Sequence, residues 1–293
     1  MAAREDVRFR SGEDDIGAWL YRPATDTGFP LLVMAHGLGG VKTMRLDAFA
    51  ERFVDAGYAC LVFDYRNFGD SGGAQRQVLD VGWQLADWAA AVAYAHTVPG
   101  VDRDRIGVWG TSFGGGHAIS TGAKVPGVAA VVAQCPFTDN VASLMTLSPS
   151  VSARVTARAL RDVVANRRGK PPVTVMVAGR PGDVALMNAP DVYDGYLKLV
   201  PPGAELTNEV PARAALQILT YRPGGLAAKL KVPALFCVCE TDTVAPAKAT
   251  KRHVAKAPRG EVKLYPDGHF DIYVGAAFER VVSDQIEFLR KHL

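Results

Sequence analysis

The stretch "IGVWGTSFGGGHA", Ile106 to Ala118, places one serine between two glycines directly after an apolar run. The apolar run is typical of a buried strand, and the residues that follow favour a helix that starts at once. A chain that turns so sharply holds the residue at the apex, Ser112, in a strained backbone conformation with its hydroxyl presented. Gly110 and Gly114 relieve the crowding, because they put no side chain where helix crosses strand. The stretch predicts a nucleophilic serine, and a plain turn serine is the alternative.

Strands and helices alternate on both sides of this stretch. "VRFR" and "GAWLYRP" indicate an opening hairpin, and "PLLVMAH", "YACLVFD", "RIGVWG" and "VAAVVAQCPF" indicate further strands. Helices are predicted over Thr43–Ala56 and from about Asp80 to Thr97, where apolar residues recur at helical spacing. Apolar strands separated by helices predict an α/β class fold with a mostly parallel sheet covered by helices on both faces. Functional loops of such a sheet follow the carboxyl ends of its strands.

The alternation stops after Phe137 and returns only at "VPALFCVCE". We interpret residues 138–231 as a cap inserted into a core made of residues 1–137 and 232–293, with a separate second domain as the alternative. Within the cap, the sequence predicts a helix over Val151–Asn166, a hairpin of "VTVMVAG" and "DVALMN" around "RPGD", and a second helix in "NEVPARAALQIL". Apolar cap residues such as Met187 and Leu219 are expected either to line a pocket over the nucleophile or to form the cap's own core.

A serine hydroxyl needs a base to take its proton and a third group to orient that base. "ETDTVAP" puts Asp242 in the loop after one predicted strand, and "YPDGHFDIY" puts His269 in the loop after the next. The catalytic residues predicted from these loops are Ser112, Asp242 and His269, in that order along the chain. Asp139 in "CPFTD" is a competing acid, although it is also placed to cap the helix that follows it.

The stretch "MAHGLGG", Met34 to Gly40, follows another apolar strand and carries glycines that let the backbone turn. Backbone N–H groups presented at the same sheet edge as a nucleophile can stabilise an oxyanion. We therefore expect the N–H groups of Leu38 and Phe113 to form an oxyanion hole. A glycine turn without this role is the alternative.

Five motifs, "HGLGG", "FDYRNFGDSGG", "GTSFGG", "ETDTVAP" and "GHFDIY", resemble those of the α/β-hydrolase superfamily and come in the same order. The resemblance covers nearly the whole chain except the cap. Within the superfamily the chain is most similar to cytosolic serine esterases related to dienelactone hydrolases and to prolyl-oligopeptidase-type catalytic domains. Dienelactone hydrolases carry a cysteine where this chain has Ser112. This difference argues against the substrate of those enzymes being the substrate of this chain. The resemblance also implies that Asp64 and Arg66 brace their loop rather than touch substrate.

These residues together predict a carboxylic-ester hydrolase that acts through an acyl-enzyme on Ser112. Thioesterase, lactonase and carbon–carbon bond hydrolase activities are alternatives, because each passes through an oxyanion that the same donors would stabilise. A non-catalytic ligand receptor with the same fold is the alternative from another class. The expected partner is a small-molecule ester, and we expect neither a cofactor nor a metal, since Cys237 and Cys239 lack a second pair of ligands.

The composition of the chain argues against several classes of binding partner and location. The 33 basic and 30 acidic residues are scattered and form no clustered basic face, which argues against nucleic acid. The charged start argues against a signal peptide, and no apolar run approaches the ~18 residues of a membrane span. The four cysteines lie in or beside apolar runs, as free thiols do in a reducing compartment, so we expect a cytoplasmic protein. The sequence leaves both a monomer and a homo-oligomer as alternatives.

Overall fold

The computed structural model describes residues 3–293, and an eight-stranded sheet forms its centre. The strands of the chain are β1 (Ala3–Ser11), β2 (Asp14–Arg22), β3 (Phe29–Ala35), β4 (Ala59–Phe63), β5 (Val101–Thr111), β6 (Ala130–Gln134), β7 (Thr174–Ala178), β8 (Ala185–Met187), β9 (Glu209–Pro211), β10 (Ala234–Cys239) and β11 (Gly260–Tyr265). The order across the large sheet is β1-β2-β4-β3-β5-β6-β10-β11. Strands β1 and β2 form an antiparallel hairpin, β2 runs antiparallel to β4, and the remaining neighbours are parallel.

Nine α-helices are described within residues 3–293. They are α1 (Leu46–Asp55), α2 (Val81–Ala95), α3 (Phe113–Lys124), α4 (Asn140–Leu144), α5 (Pro149–Arg167), α6 (Val192–Leu197), α7 (Ala214–Ile218), α8 (Ala247–Val254) and α9 (Gly275–His292). Short 3₁₀ helices cover Pro223–Lys229 and Asp271–Tyr273. In that described part of the chain, no helix combines the length and the apolar character needed to cross a bilayer.

Helices cover both faces of the large sheet. Successive strand residues point to opposite faces. Trp109 of β5 packs on Phe49 of α1 and donates a hydrogen bond to Gln285 of α9, with 3.0 Å between nitrogen and oxygen. The next residue, Gly110, faces α3. With both faces covered, β3 and β4 are buried along their whole length, which explains their unbroken apolar sequences. This architecture confirms the expected α/β fold with a mostly parallel sheet.

The chain between β6 and β10 forms the helices α4 to α7 and a separate three-stranded sheet of order β8-β7-β9. The predicted hairpin in this segment is wrong, because β7 and β8 pair in parallel. A turn does form at "RPGD", where the Asp183 N–H donates to the Arg180 carbonyl oxygen at 2.9 Å. The residues around it bring the chain back so that β8 starts beside β7 in the same direction. A turn motif indicates a change of direction but not the number of reversals.

Only the second half of the helix predicted for "NEVPARAALQIL" forms; the prediction for the first half is wrong. Its first residues form β9, in which Val210 pairs with Val175 of the antiparallel β7, and α7 begins only at Ala214. Pro211 is the physical reason, because proline disfavours the helical conformation of the residue before it and removes a backbone donor. The other long helix predicted in the segment, Val151–Asn166, forms as α5 with slightly wider bounds.

Helix α3 crosses close over the end of β5. A Cβ atom on Gly110 would overlap the Gly114 carbonyl, and a Cβ atom on Gly114 would overlap the carbonyl of His36. Both glycines are therefore required by the close approach of three backbone segments. Ser112, between them, is held at the carboxyl edge of the sheet.

We expect Gly110→Ala to lower the free energy of unfolding by about 3 kcal/mol, since the added methyl group must displace buried backbone rather than a flexible side chain. Gly225→Ala is the matched control, because no atom lies within 4 Å of the added Cβ at that exposed position. Urea unfolding of both variants measures the difference. Equal stabilities of the two variants would contradict the packing described for the crossing.

Candidate active site

Ser112 lies at the turn from β5 into α3 with a backbone φ of 56° and ψ of −120°. A non-glycine residue in this region is strained and persists only where its surroundings hold it. The Ser112 N–H donates to the Gln134 carbonyl at 2.8 Å, and the Ser112 carbonyl accepts from the Phe137 N–H at 2.9 Å. The chain at the end of β6 therefore holds the backbone of Ser112 on both sides.

The side chains of His269 and Asp242 complete a hydrogen-bonded chain from Ser112. His269 Nε2 lies 3.0 Å from Ser112 Oγ, and His269 Nδ1 lies 2.7 Å from Asp242 Oδ2. The other carboxylate oxygen of Asp242 accepts the backbone N–H groups of Val244 at 2.8 Å and Ala245 at 2.6 Å. The loops after three different strands thus bring together the three residues that the sequence analysis selected.

The electrostatic surroundings of His269 favour its charged form. The ring is almost completely buried, which disfavours charge, but the Asp242 carboxylate and, to a smaller extent, the Cys135 sulfur beside it outweigh this and raise the pKa of His269 well above its ordinary value. Proton transfer from Ser112 to this nitrogen would place the imidazolium next to a carboxylate. A thiol also lies close, because Cys135 Sγ is 4.0 Å from His269 Nε2.

Asp139, the competing acid, makes a different set of contacts. Its Oδ2 lies 3.0 Å from His253 Nε2 and 3.0 Å from an Arg252 guanidinium nitrogen. Its Oδ1 caps the first turn of α4 by accepting the N–H groups of Val141 and Ala142. Although burial opposes ionisation, these hydrogen bonds and the nearby positive charges lower the pKa of Asp139 below its usual range. The structure therefore pairs Asp139 with His253 and Asp242 with His269.

The loop after β3 carries Leu38, one of the two residues expected to form an oxyanion hole, and the other, Phe113, is the first residue of α3. The Gly37 N–H donates to His36 Nδ1 at 2.7 Å, so His36 is a neutral ring whose Nε2–H donates to the Met44 carbonyl at 2.9 Å. Burial lowers the pKa of His36 to about 4, consistent with that neutral form. Within residues 3–293, the N–H groups of Leu38 and Phe113 have no hydrogen-bond partner. Both residues line the same pocket as Ser112.

Helix α6 and the residue before it contact the loops after β3, β10 and β11, and the sequence analysis missed this contribution. The Tyr196 hydroxyl donates to the Leu38 carbonyl at 3.1 Å, and the backbone at Gly195 packs against the ring of Phe270, the neighbour of His269. The residue before α6, Asp191, accepts a hydrogen bond from the Thr243 hydroxyl at 2.7 Å, beside Asp242. No local signal in "DVYDGYL" indicates these contacts, because they depend on how the segment folds back onto the core.

Two pockets meet at Ser112. The larger pocket is walled mainly by apolar side chains, several of them from the segment between β6 and β10, including Leu186, Met187, Leu216 and Leu219. The smaller pocket is lined by His269, Phe270, Tyr196 and Leu199 among others, and it shares Leu38, Ser112 and Met187 with the larger one. Three other apolar residues of the segment, Val173, Val175 and Met176, do not line either pocket.

Asp64 and Arg66 each form an ion pair with another side chain of the protein. Asp64 forms a buried ion pair with Lys42 at 2.7 Å and also accepts the Lys42 backbone N–H. Arg66 binds Asp87 through both its Nε and a terminal nitrogen, at 2.9 and 2.7 Å. These contacts hold the loop after β4 in place, and neither residue lines the two pockets.

Comparisons with known proteins agree with this architecture. The model of the X-Pro dipeptidyl-peptidase family (S15 family) matches residues 11–164. The chain is 53% identical over 286 residues to the quorum-quenching protein AidA of Acinetobacter baumannii (strain MDR-ZJ06), covering 98% of this chain and 94% of that protein. It is 28% identical to a thiohydrolase of Eupenicillium brefeldianum, covering 99% of this chain and 95% of that protein. The crystal structure of the α/β hydrolase GrgF from Penicillium sp. sh18 matches with a TM-score of 0.83 and 23% identity, covering 99% of both chains.

The contact between His269 and Asp242 generates a prediction about titration. We expect the pKa of His269, followed by NMR of protein with labelled histidine, to lie above the ordinary value of about 6.5. Asp242→Asn removes the largest contribution that raises the pKa and leaves the burial that lowers it, so the pKa should fall. Asp139→Asn is the matched control and should leave the titration of His269 in place. A wild-type pKa at or below the ordinary value would contradict this electrostatic account.

Proposed function

Because this chain belongs to the X-Pro dipeptidyl-peptidase family within the α/β-hydrolase superfamily, we propose that it is a serine hydrolase that cleaves carboxylic esters of small molecules. The observation that carries the proposal is the hydrogen-bonded chain from Ser112 through His269 to Asp242. This arrangement supplies a nucleophile, a base and an orienting carboxylate. The family membership establishes the coarser class of hydrolase, and the geometry supports the choice of residues.

In the proposed reaction, Ser112 Oγ attacks the ester carbonyl carbon while His269 Nε2 takes the hydroxyl proton. The tetrahedral intermediate then collapses, the bond to the alcohol oxygen breaks, and His269 returns the proton to the departing alcohol. Water next attacks the acyl-enzyme with His269 again acting as base, which releases the carboxylic acid and restores Ser112. Asp242 holds the ring so that Nδ1–H points to the carboxylate and Nε2 faces the serine.

The developing negative charge on the carbonyl oxygen requires donors that are not already bonded. The N–H groups of Leu38 and Phe113 meet this requirement within the described chain, and Phe113 also begins α3, where the helix dipole favours an anion. Tyr196 supports this role, since its hydroxyl binds the carbonyl of Leu38 and so restrains the peptide group next to that donor. We assign the oxyanion hole to these two N–H groups.

An ester has two halves on either side of the carbonyl carbon, and two pockets meet at Ser112. We propose that each pocket takes one half of the substrate and that residues 138–231 act as a cap that walls both. The larger pocket suits an apolar chain, because most of its lining is apolar. The contacts of Tyr196 and Asp191 with the core would couple the cap to the loops that carry the chemistry.

An ester fits the described pockets better than the N-terminus of a peptide. A dipeptidyl-peptidase must hold a free ammonium group close to its nucleophile, which calls for a carboxylate in the substrate site. No Asp or Glu side chain of residues 3–293 lines either pocket. A thioester is the second candidate substrate, favoured by the similarity to the thiohydrolase of Eupenicillium brefeldianum. Measuring the turnover of matched oxygen and sulfur esters would separate the two activities.

Ser112→Ala should lower kcat/KM for a p-nitrophenyl ester by at least about 10⁴-fold, because the covalent route is lost and only binding and oxyanion stabilisation remain. The same substitution should abolish labelling by a fluorophosphonate probe, which reports an activated serine without requiring the natural substrate. Ser283→Ala, an exposed serine on α9, is the matched control and should keep both properties. Circular dichroism and thermal unfolding confirm that both variants are folded.

Two results would overturn the proposal. Wild-type protein that is neither labelled nor active on any ester or thioester would indicate a receptor that keeps the fold without turnover. Labelling that persists in folded Ser112→Ala would place the nucleophile elsewhere.

A further inference from the structure

The two halves of an ester meet different residues in the proposed reaction. The acyl half stays on Ser112 until water releases it, whereas the alcohol half leaves with a proton from His269 Nε2. A general acid must lie within hydrogen-bond reach of the atom that it protonates, about 2.6–3.2 Å. The oxygen of the alcohol half must therefore lie on the side of Ser112 where His269 lies.

His269 lines one of the two pockets that meet at Ser112. It and its neighbour Phe270 belong to the wall of the smaller pocket, and neither residue lines the larger one. The nitrogen that carries the proton, Nε2, lies 3.0 Å from Ser112 Oγ, and Ser112 is shared by both pockets. An alcohol oxygen bonded to that nitrogen is thus at the entrance of the smaller pocket.

The carbonyl carbon of a bound ester carries three groups besides the attacking oxygen of Ser112. In the proposed reaction the carbonyl oxygen faces the N–H groups of Leu38 and Phe113, and the alcohol oxygen faces His269. The third group is the acyl chain. The larger pocket, which also opens at Ser112 and has no part of His269 in its wall, is the space that remains for this chain.

The two pockets differ in size. The larger one encloses about 830 Å³ and the smaller one about 250 Å³. Aliphatic side chains such as those of Leu216 and Leu219 wall the larger pocket, whereas the rings of Tyr196 and Phe270 line the smaller one. No Asp, Glu, Lys or Arg side chain of residues 3–293 lines either pocket, so each suits an uncharged group. A long apolar chain fits the larger pocket and a short group fits the smaller one.

We propose that the substrate is an ester of a long apolar carboxylic acid with a short, uncharged alcohol, and that the acyl chain occupies the larger pocket while the alcohol occupies the smaller one. This inference rests on the proposed ester hydrolysis at Ser112 and specifies its substrate class. The smaller pocket then empties when the alcohol leaves, and the larger pocket holds the acyl chain until water releases the acid.

Two isomeric esters separate the two possible orientations. Methyl decanoate carries its long chain on the acyl side, and nonyl acetate, which has the same atoms, carries it on the alcohol side. The readout is the ratio of kcat/KM for methyl decanoate to kcat/KM for nonyl acetate, each divided by the rate of hydrolysis by hydroxide and measured where the ester stays dissolved. We expect a wild-type ratio of about tenfold or more, because each methylene in an apolar pocket favours the transition state.

Leu219→Trp should bring this ratio towards one, because the larger ring takes space from the acyl chain in the larger pocket. Both esters meet the same altered protein, so a general loss of activity cancels in the ratio. Leu160→Trp, the same substitution at an exposed position of α5 outside both pockets, is the matched control and should keep the wild-type ratio. Ser152→Trp, which narrows the same pocket from α5, replaces Leu219→Trp where that variant does not fold.

A wild-type ratio near or below one, with both esters turned over, would overturn the inference and leave hydrolysis at Ser112 intact. A preference for methyl decanoate that survives in folded Leu219→Trp and Ser152→Trp would overturn the assignment of the acyl chain to the larger pocket. Protein that the fluorophosphonate probe labels but that turns over neither isomer would also contradict the inference. No labelling by the probe and no turnover of any ester would instead be the failure of the proposed function.

Discussion

The close crossing of α3 over the end of β5 is the constraint on which the rest of the site depends. Gly110, Gly114 and the carbonyl of His36 occupy a space in which no additional side chain fits. That approach holds Ser112 in its strained conformation and brings the loop after β3 against it. A Cβ atom added to Gly37 in that loop would lie only 2.8 Å from the Cβ of Ser112. A looser crossing would separate the hydroxyl from the N–H groups of Leu38 and Phe113. Packing of backbone against backbone thus sets the geometry that the chemistry requires.

The second constraint comes from the segment between β6 and β10, which does more than wall the pockets. Through Tyr196, Gly195 and Asp191 it contacts the loops of Leu38, His269 and Asp242 in turn. Its α4 begins with Asn140 and its apolar side chains surround the nucleophile. In the proposed enzyme, the same segment would therefore select the substrate and support the residues that react with it. A change in the segment would then affect both binding and the chemical step.

The sequence predicts the core well because its signals are local. Ser112, Asp242 and His269 each follow a buried apolar strand, and parallel strands bring such loops to one edge, where the structure indeed places the three side chains in contact. The parallel pairing of β7 with β8 was not predictable, because it depends on how a short segment reverses twice. The Tyr196 contact was not predictable either, since it joins groups distant in the chain. The catalytic roles of the three core residues stay predictions.

The central claim is that the reaction passes through an acyl group on Ser112, and its most direct measurement is mass spectrometry of enzyme quenched in acid during turnover of a p-nitrophenyl ester. Cys135 makes the measurement discriminating, because its thiol lies 4.0 Å from the same imidazole nitrogen, although it lines neither pocket. The account predicts a mass increase equal to one acyl group, located by peptide mapping on the peptide that contains Ser112. An acyl group on Cys135, or on any peptide that does not contain Ser112, would contradict it.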